Sequence, residues 1–438
     1  MAIRSQEMRK IAFIGGGSAK FIRELLVDLF SYEELQDTLI TLMDIDKERL
    51  ELSRRLLEKI VSDRKLPARV AATTDQRRAL DGADYVIISI MVGGYDCYKA
   101  DVGIPKKYGI FQTVSDTTGP GGIMRILRTA PVLKKLAENA KEVCPGAWIL
   151  NYSNPMTMNT KVLNLCGHRR TVGLCHSIQG SIGWCLGPWL GIKPEEIDYF
   201  AAGINHRNFY LKLEHKGRDL YPALRAAGER IVKERPIEKP RFELVKYLGY
   251  FPAEGPLHQP EYYQWFLKDR KRAEHYAADV GGGYRIDSEN FRRKKKEVTA
   301  QIKGTMPISY ERSHEYGVKI IHSIETGSLL EVYGNFPNRG LISNLPANAI
   351  VEVPCLVGRN GVLPCAAGEI PPQLAAVMLP HICLDEMAVQ GVLTRDRTLL
   401  RQAMQADPLT GAILTLPEIE KMFNELFEAN KEYHGGKW

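Results

Sequence analysis

The chain has 438 residues, of which 44% are hydrophobic and 25% charged, with a formal charge of +7. That length and composition predict a folded protein with a full apolar core. The charge excess is small and spread along the chain, so no nucleic-acid surface is expected, and the densest run, Arg292-Arg293-Lys294-Lys295-Lys296, reads as a solvated helix face.

Met1 to Lys10 is polar and offers no secretory segment, and no stretch of about 18 apolar residues occurs, so a cytoplasmic protein without a membrane partner is expected. Lys10 to Ile14 is a short apolar strand, the glycines that follow turn it, and Ile22, Leu25, Leu26 and Leu29 then recur at helical spacing. Leu39 to Met43 reads as a second strand ending in Asp44, with a helix carrying Leu50, Leu57, Ile60 and Val61 behind it. A weaker strand spans Ala68 to Ala72. Tyr85 to Ile90 and Trp148 to Leu150 are strands separated by a helical segment containing Val132, Leu133 and Leu136, and Thr171 to Leu174 and Ile197 to Ala202 add two more. This alternation predicts an α/β fold: a Rossmann-like, doubly wound parallel sheet covered on both faces. Past residue 205 the alternation fades into an irregular α+β region, aromatic from Tyr247 to Phe266 and polar, with mobility expected, from Lys268 to Ser313. Strand character returns at Ala349 to Val357 before helical patterns close the chain. The expected division is a nucleotide-binding domain over 1–200 and an α+β domain over 201–438 for substrate, metal and oligomer contacts. The eight cysteines contain no CxxC pair and predict neither disulfides nor structural zinc.

Gly15-Gly16-Gly17-Ser18 lies between a strand and a helix, where small residues let the backbone approach a pyrophosphate and the helix amides face it. The turn departs from a full GxGxxG because Lys20 takes the third glycine's place. Asp44 can accept from both ribose hydroxyls and would repel a 2′-phosphate, which favours NAD over NADP; the competing reading is a tight turn without ligand. Asp116-Thr117-Thr118-Gly119-Pro120-Gly121-Gly122 is a second glycine cluster, followed by Arg125 and Arg128 at helical spacing. It brings a carboxylate and Arg125 to a ligand, or it is an ordinary connection. Asn151-Tyr152-Ser153-Asn154-Pro155 leaves a buried strand at the carboxyl end of the sheet, where Asn151 faces cofactor hydroxyls and Asn154 sugar hydroxyls, or where the amides close an Asx turn. Cys175-His176 and Asn205-His206 end successive strands, so both converge on that edge, with Asn205 a substrate contact. One divalent cation would explain both, held by the Cys175 thiolate and a ring nitrogen of His206, and these donors suit zinc at least as well as manganese.

Together these motifs resemble the NAD-dependent, divalent-metal-requiring glycosidases of glycoside hydrolase family four. The resemblance spans essentially the whole chain, through Leu42-Met43-Asp44-Ile45-Asp46, Asn151-Tyr152-Ser153-Asn154-Pro155-Met156, Gly173-Leu174-Cys175-His176-Ser177 and Ala202-Gly203-Ile204-Asn205-His206 to Tyr333-Gly334-Asn335 and Asn344-Leu345-Pro346. Cys175-His176-Ser177 is similar to the α-galactosidase branch, although Ile178-Gln179-Gly180 stands where Val-Gln-Gly is commonest. What the resemblance implies is a lactate/malate dehydrogenase-like fold, Mn2+ on Cys175 and His206, Asn154 against the sugar, and Asp116 and His176 in catalysis. The family's base is a tyrosine or an aspartate, and His258-Gln259-Pro260-Glu261-Tyr262-Tyr263 offers Tyr262, with Tyr263, Glu261 and His258 as rivals. The implied reaction is cleavage of melibiose-like α-galactosides by transient oxidation at C3, loss of the C2 proton, elimination of the aglycone, addition of water and return of the hydride. Paired carboxylates are not needed for this chemistry. Alternatives are an α-glucosidase or α-uronidase of the same family, an NAD-dependent hydroxyacid dehydrogenase, and a nucleotide-binding regulator without catalysis. A homodimer or homotetramer is the implied assembly.

Overall fold

The computed structural model describes residues 8–435. Six strands begin the sheet: β1 (Arg9–Ile14), β2 (Thr38–Met43), β3 (Arg69–Thr73), β4 (Tyr85–Ile88), β5 (Trp148–Asn151) and β6 (Thr171–Gly173). They pair in parallel in the order β3-β2-β1-β4-β5-β6. The apolar runs of β1, β2, β4, β5 and β6 follow from burial on both faces, whereas the edge strand β3 is largely exposed. Ala12, Ile14, Val86 and Ile88 enter one core with Leu127, Leu133 and Met378, while Ile11, Phe13, Tyr85 and Ile87 enter the other with Leu25, Leu29 and Leu57. β1 lies between β2 and β4, so the strand order reverses there and opens a crevice at the carboxyl ends.

After β6 the sheet turns antiparallel. β7 (Ile197–Ile204), β8 (Arg207–His215), β9 (Arg218–Asp219), β10 (Leu330–Pro337), β11 (Ile350–Gly358) and β12 (Gly361–Pro364) extend it in the order β10-β11-β7-β8-β9, with β12 on β11. β10 joins β6 through Asn335 and Gly173. The region expected to be irregular after residue 205 therefore carries β8 and β10. Their pattern hides them because buried polar residues, Asn208 and Asn335, interrupt strands whose other neighbours are buried.

The polar stretch from Lys268 holds two helices, Arg270–His275 and Gly282–Ile302. The second is tied to the nucleotide half by Arg23–Glu297 (2.9 Å) and Lys295–Glu48 (2.7 Å), while Arg292, Arg293, Lys295 and Lys296 face solvent. The helix Pro372–Thr394 is long and apolar enough to cross a membrane, yet Leu374, Met378, Leu384, Ala388 and Val389 are buried in the core, and it carries buried His381 and Asp385. All eight cysteines are free.

Candidate active site

At the reversal point the turn after β1 is drawn tight, since the N–H groups of Gly15 and Gly16 both donate to the Met43 carbonyl, at 2.9 and 2.7 Å. Gly15 has φ +93°, and a Cβ there would stand 2.0 Å from the Ser89 carbonyl oxygen, so only glycine allows this approach. The Gly17 N–H donates to Asp44 Oδ2 at 2.7 Å, and the Asp46 N–H donates to Oδ1 at 3.0 Å. Each oxygen keeps a lone pair for a ribose hydroxyl. Ser18 makes no side-chain cap bond, which leaves the first amides of the helix Ala19–Phe30 open to an anion. This cradle fits a dinucleotide.

Three chain segments meet beside it. β6 leads into Cys175, and Asn205 and His206 form the turn between Ile204 of β7 and Arg207 of β8, with His206 at φ +64°. The third segment is pinned along β8 by backbone bonds from the Tyr210 N–H to the Phe251 carbonyl (3.0 Å) and from the Ala253 N–H to the Asn208 carbonyl (3.1 Å). It delivers Glu254, whose Oε2 lies 3.2 Å from His206 Nε2. One donor atom each from Cys175, His206 and Glu254 fall within 4.8 Å of one another. His206 Nδ1 is already met by Thr117 Oγ1 (2.9 Å) and Tyr262 Oη (3.0 Å), so Nε2 is the nitrogen that faces this group.

Glu254 Oε2 is buried and receives no hydrogen bond, an omission that a cation would repair. Sulfur, imidazole and carboxylate together fit a divalent transition ion. Burial holds His206 at about 4, so the ring is neutral and able to ligate. Burial, helped by Glu254 and Glu352, pushes the Cys175 thiol well above its ordinary range. For Glu254 the upward push of burial is outweighed by His206 and His258, which keep it a carboxylate. Sequence reasoning missed Glu254, because nothing in Ala253-Glu254-Gly255 marks it apart from the backbone pairing that carries it there.

Asp116 sits one hydrogen-bond layer away. Its Oδ2 accepts from Asn154 Nδ2 (2.9 Å) and its Oδ1 from Thr117 Oγ1 (2.7 Å). Arg125 and His258 each approach it to 3.9 Å. Burial alone would raise its pKa, but His258, Arg125 and His206 outweigh burial and hold it at about 2. Arg125 also lies over the Tyr98 ring at 4.6 Å, and its Nε donates to nothing.

Tyr262 is completely buried, with its hydroxyl between His206 Nδ1 (3.0 Å) and His258 Nδ1 (2.9 Å). Burial and the charges of Glu261, Glu254 and Asp116 push the phenol well above its ordinary range, opposed by the Arg207 guanidinium 5.0 Å from the ring centroid. Glu261 accepts backbone N–H bonds from Val114 (2.8 Å) and Ser115 (3.0 Å), and burial pushes it to about 7. Tyr263 stacks on Trp265 at 5.5 Å.

The remaining residues lie at the edges. Asn151 closes an Asx turn, its amide donating to the Ser153 carbonyl (3.2 Å) and accepting from the Ser153 N–H (3.1 Å). Asn205 turns inward to Glu352 at 3.5 Å, in a buried cage that Asn335 (3.2 Å) and Asn208 complete. His176 is exposed, with Nδ1 3.4 Å from Glu315. Arg128 is spent on Asp101 at 2.5 Å and on Asn430 at 2.6 Å.

The chain is similar to known proteins over nearly its whole length. The profile described as family 4 glycosyl hydrolase matches residues 10–183, and that of the family 4 glycosyl hydrolase C-terminal domain matches 201–410. An alpha-galactosidase of Bacillus subtilis is 38% identical over 97% of this chain and 99% of its own. One from Rhizobium meliloti is 35% identical over 97% of this chain and 89% of its own. Among solved structures, the 6-phospho-beta glucosidase of Thermotoga maritima with manganese, NAD+ and glucose-6-phosphate superposes with a TM-score of 0.79 at 23% identity, over 97% of this chain and 99% of that one. Lactate dehydrogenase from Eimeria maxima, at a TM-score of 0.53 and 13% identity over 90% of this chain and 98% of that one, shares the underlying fold. The chain therefore belongs to family 4 of the glycosyl hydrolases.

Proposed function

We propose that this enzyme is an NAD- and Mn2+-dependent α-galactosidase that cleaves melibiose-like α-galactosides. The observation that carries the reading is the Cys175–His206–Glu254 donor set beside a dinucleotide cradle, in a chain matched over nearly its full length by alpha-galactosidases. Alpha-galacturonidases also match, at 32% identity for one from Lachnoclostridium phytofermentans, behind the two galactosidases.

When bound, the dinucleotide and the cation supply reversible oxidation at C3 and polarisation that makes the C2 proton acidic. Gly15, Gly16, Gly17, Ser18 and Asp44 hold the dinucleotide, and the Asn151 turn shapes its wall. Cys175, His206 and Glu254 hold the cation. Asn154 and Arg125, both fixed against Asp116, orient the sugar hydroxyls, and Asn205 braces the turn that presents His206.

Tyr262 takes the C2 proton. Its own proton passes first to His258 Nδ1 at 2.9 Å. Burial opposes charge on that ring, but Glu254, Asp116 and Glu261 outweigh burial and raise its pKa, which narrows the gap to the phenol that burial pushes up. His176, whose pKa the Glu315 carboxylate raises, stands at the exposed side to protonate the departing oxygen. Residues 1–200 thus supply the nucleotide site, and 201–438 supply His206, Glu254, Tyr262 and the contacts of a homodimer or homotetramer. A cytoplasmic location suits both the nucleotide and a cysteine that must stay reduced to ligate.

Release of nitrophenol from α- and β-galactosides, glucosides and galacturonides, with and without NAD+, Mn2+ and a thiol reductant, tests the reading. Cleavage of the α-galactoside only when all three are present, without accumulation of NADH, is expected. A build-up of NADH in step with substrate would identify a dehydrogenase instead.

A further inference from the structure

Next to the cation donors the fold sets out an aromatic shelf that the hydrolytic groups leave unused. Trp184, in the helical turn Ile182–Leu186 that follows the Cys175 loop, is 56% exposed. Its six-membered ring is bedded on Gly180, where a Cβ would come within 2.7 Å of it. Two imidazoles hold its surroundings, His176 at 5.9 Å and His314 at 6.0 Å between centroids, both in edge-to-face geometry. Glu315 stands 3.4 Å from His176. An indole bedded on the chain and rimmed by hydrogen-bonding groups from His176, His314 and Glu315 matches a pyranose, which offers an apolar C–H face and a girdle of hydroxyls.

Position decides which sugar. The sugar being oxidised would lie with its hydroxyls at the cation site formed by Cys175, His206 and Glu254, of which the last two are buried. Its glycosidic oxygen must then leave toward solvent, and the residue directly after Cys175 is the exposed His176, with the indole against it. We infer that Trp184, flanked by His176, His314 and Glu315, binds the leaving-group hexose of a disaccharide. The inference rests on the α-galactosidase reading, and it makes Trp184 a specificity residue for sugar aglycones over small alkyl ones.

Kinetics on melibiose and on methyl α-galactoside separate the two halves of the substrate. Trp184→Ala is expected to raise KM for melibiose roughly 10-fold more than for methyl α-galactoside, about 1.4 kcal/mol of aglycone binding, and Trp184→Phe to recover most of it. Equal changes for the two substrates would overturn the proposal. Intrinsic fluorescence with Mn2+ present and NAD+ withheld, so that nothing is cleaved, gives a second readout. Melibiose should quench the wild-type emission and leave Trp184→Phe unquenched. Quenching of that kind in a protein that hydrolyses no galactoside would sink the enzymatic reading and leave the shelf standing. Normal hydrolysis without quenching would do the reverse. Light scattering that shows Trp184→Ala changing the number of subunits would make the indole a subunit contact and also refute the inference.

Discussion

The hydroxyl of Tyr262 lies 3.0 Å from Nδ1 of His206, the ring whose other nitrogen faces the carboxylate of Glu254. One imidazole thereby links the group proposed to move the proton with the group proposed to hold the cation. Tyr262→Phe removes the proton acceptor and keeps the ring. It should lower kcat by roughly 100- to 10,000-fold, the range for a general base, while NAD+ still binds in a fluorescence titration. A turnover number close to wild type would remove Tyr262 from that role and pass it to His258.

Two of the three donors make separable predictions. Cys175→Ser replaces a soft sulfur by a neutral hydroxyl, and Glu254→Gln removes the charge of the oxygen that lacks a hydrogen bond. Both should weaken Mn2+ binding, by about 10- to 100-fold for Glu254→Gln, which removes the carboxylate charge that a hard ion such as Mn2+ favours. Electron paramagnetic resonance of free Mn2+ during titration reads the affinity without reference to turnover. Wild-type affinity in Glu254→Gln would confine the protein ligands to Cys175 and His206.

Cation binding should also depend on pH in a fixed direction. Burial keeps the Cys175 thiol protonated at neutral pH, whereas His206, held at about 4, has no proton to lose. Each ion bound then expels one proton, and the apparent affinity rises about tenfold per pH unit between about pH 6 and about pH 8. Calorimetry in buffers of different ionisation enthalpy counts that proton. A count of zero would mean that the sulfur does not ligate.

Asp385 provides a test of the fold apart from the chemistry. Burial, opposed by Arg207 and by a 2.7 Å bond from Thr157, raises its pKa from 3.8 to about 6. Below the lower value both the folded and unfolded chains hold the proton, so nothing is lost. Between the two values only the unfolded chain ionises, and stability falls as pH rises. Above about 6 the full loss is present, on the order of 3 kcal/mol. Asp385→Asn lacks this penalty, so its melting temperature should improve relative to wild type from about pH 4 to about pH 7. A pH-independent difference would contradict the assignment.

Legibility in the sequence followed locality. The glycine turn and Asp44 were readable because strand, turn, helix and acid lie in sequence order, and the bond from Gly17 to Asp44 realises that order. Cys175 and His206 were readable as a pair because each ends a strand at the same edge. Glu254 was not, since backbone bonds to Tyr210 and Asn208 carry it there and leave no side-chain pattern. β10 was hidden for a related reason: the sheet interior at this point is polar, with Asn335 bonded to Glu352 of β11 at 3.2 Å, and hydrophobic periodicity has nothing to register. The Asn151 amide shows the limit of motif reading, because its bonds to Ser153 satisfy it within its own turn.

His206 holds φ at +64° without being glycine. Few side chains tolerate that backbone, chiefly asparagine, aspartate and histidine, and β-branched residues do not. Attempts to retune which ion the enzyme accepts therefore have almost no room at this corner, where aspartate is the one anionic replacement the hairpin would admit. Laboratory evolution toward a different metal should find its solutions at 175 and 254, and leave 206 as it is.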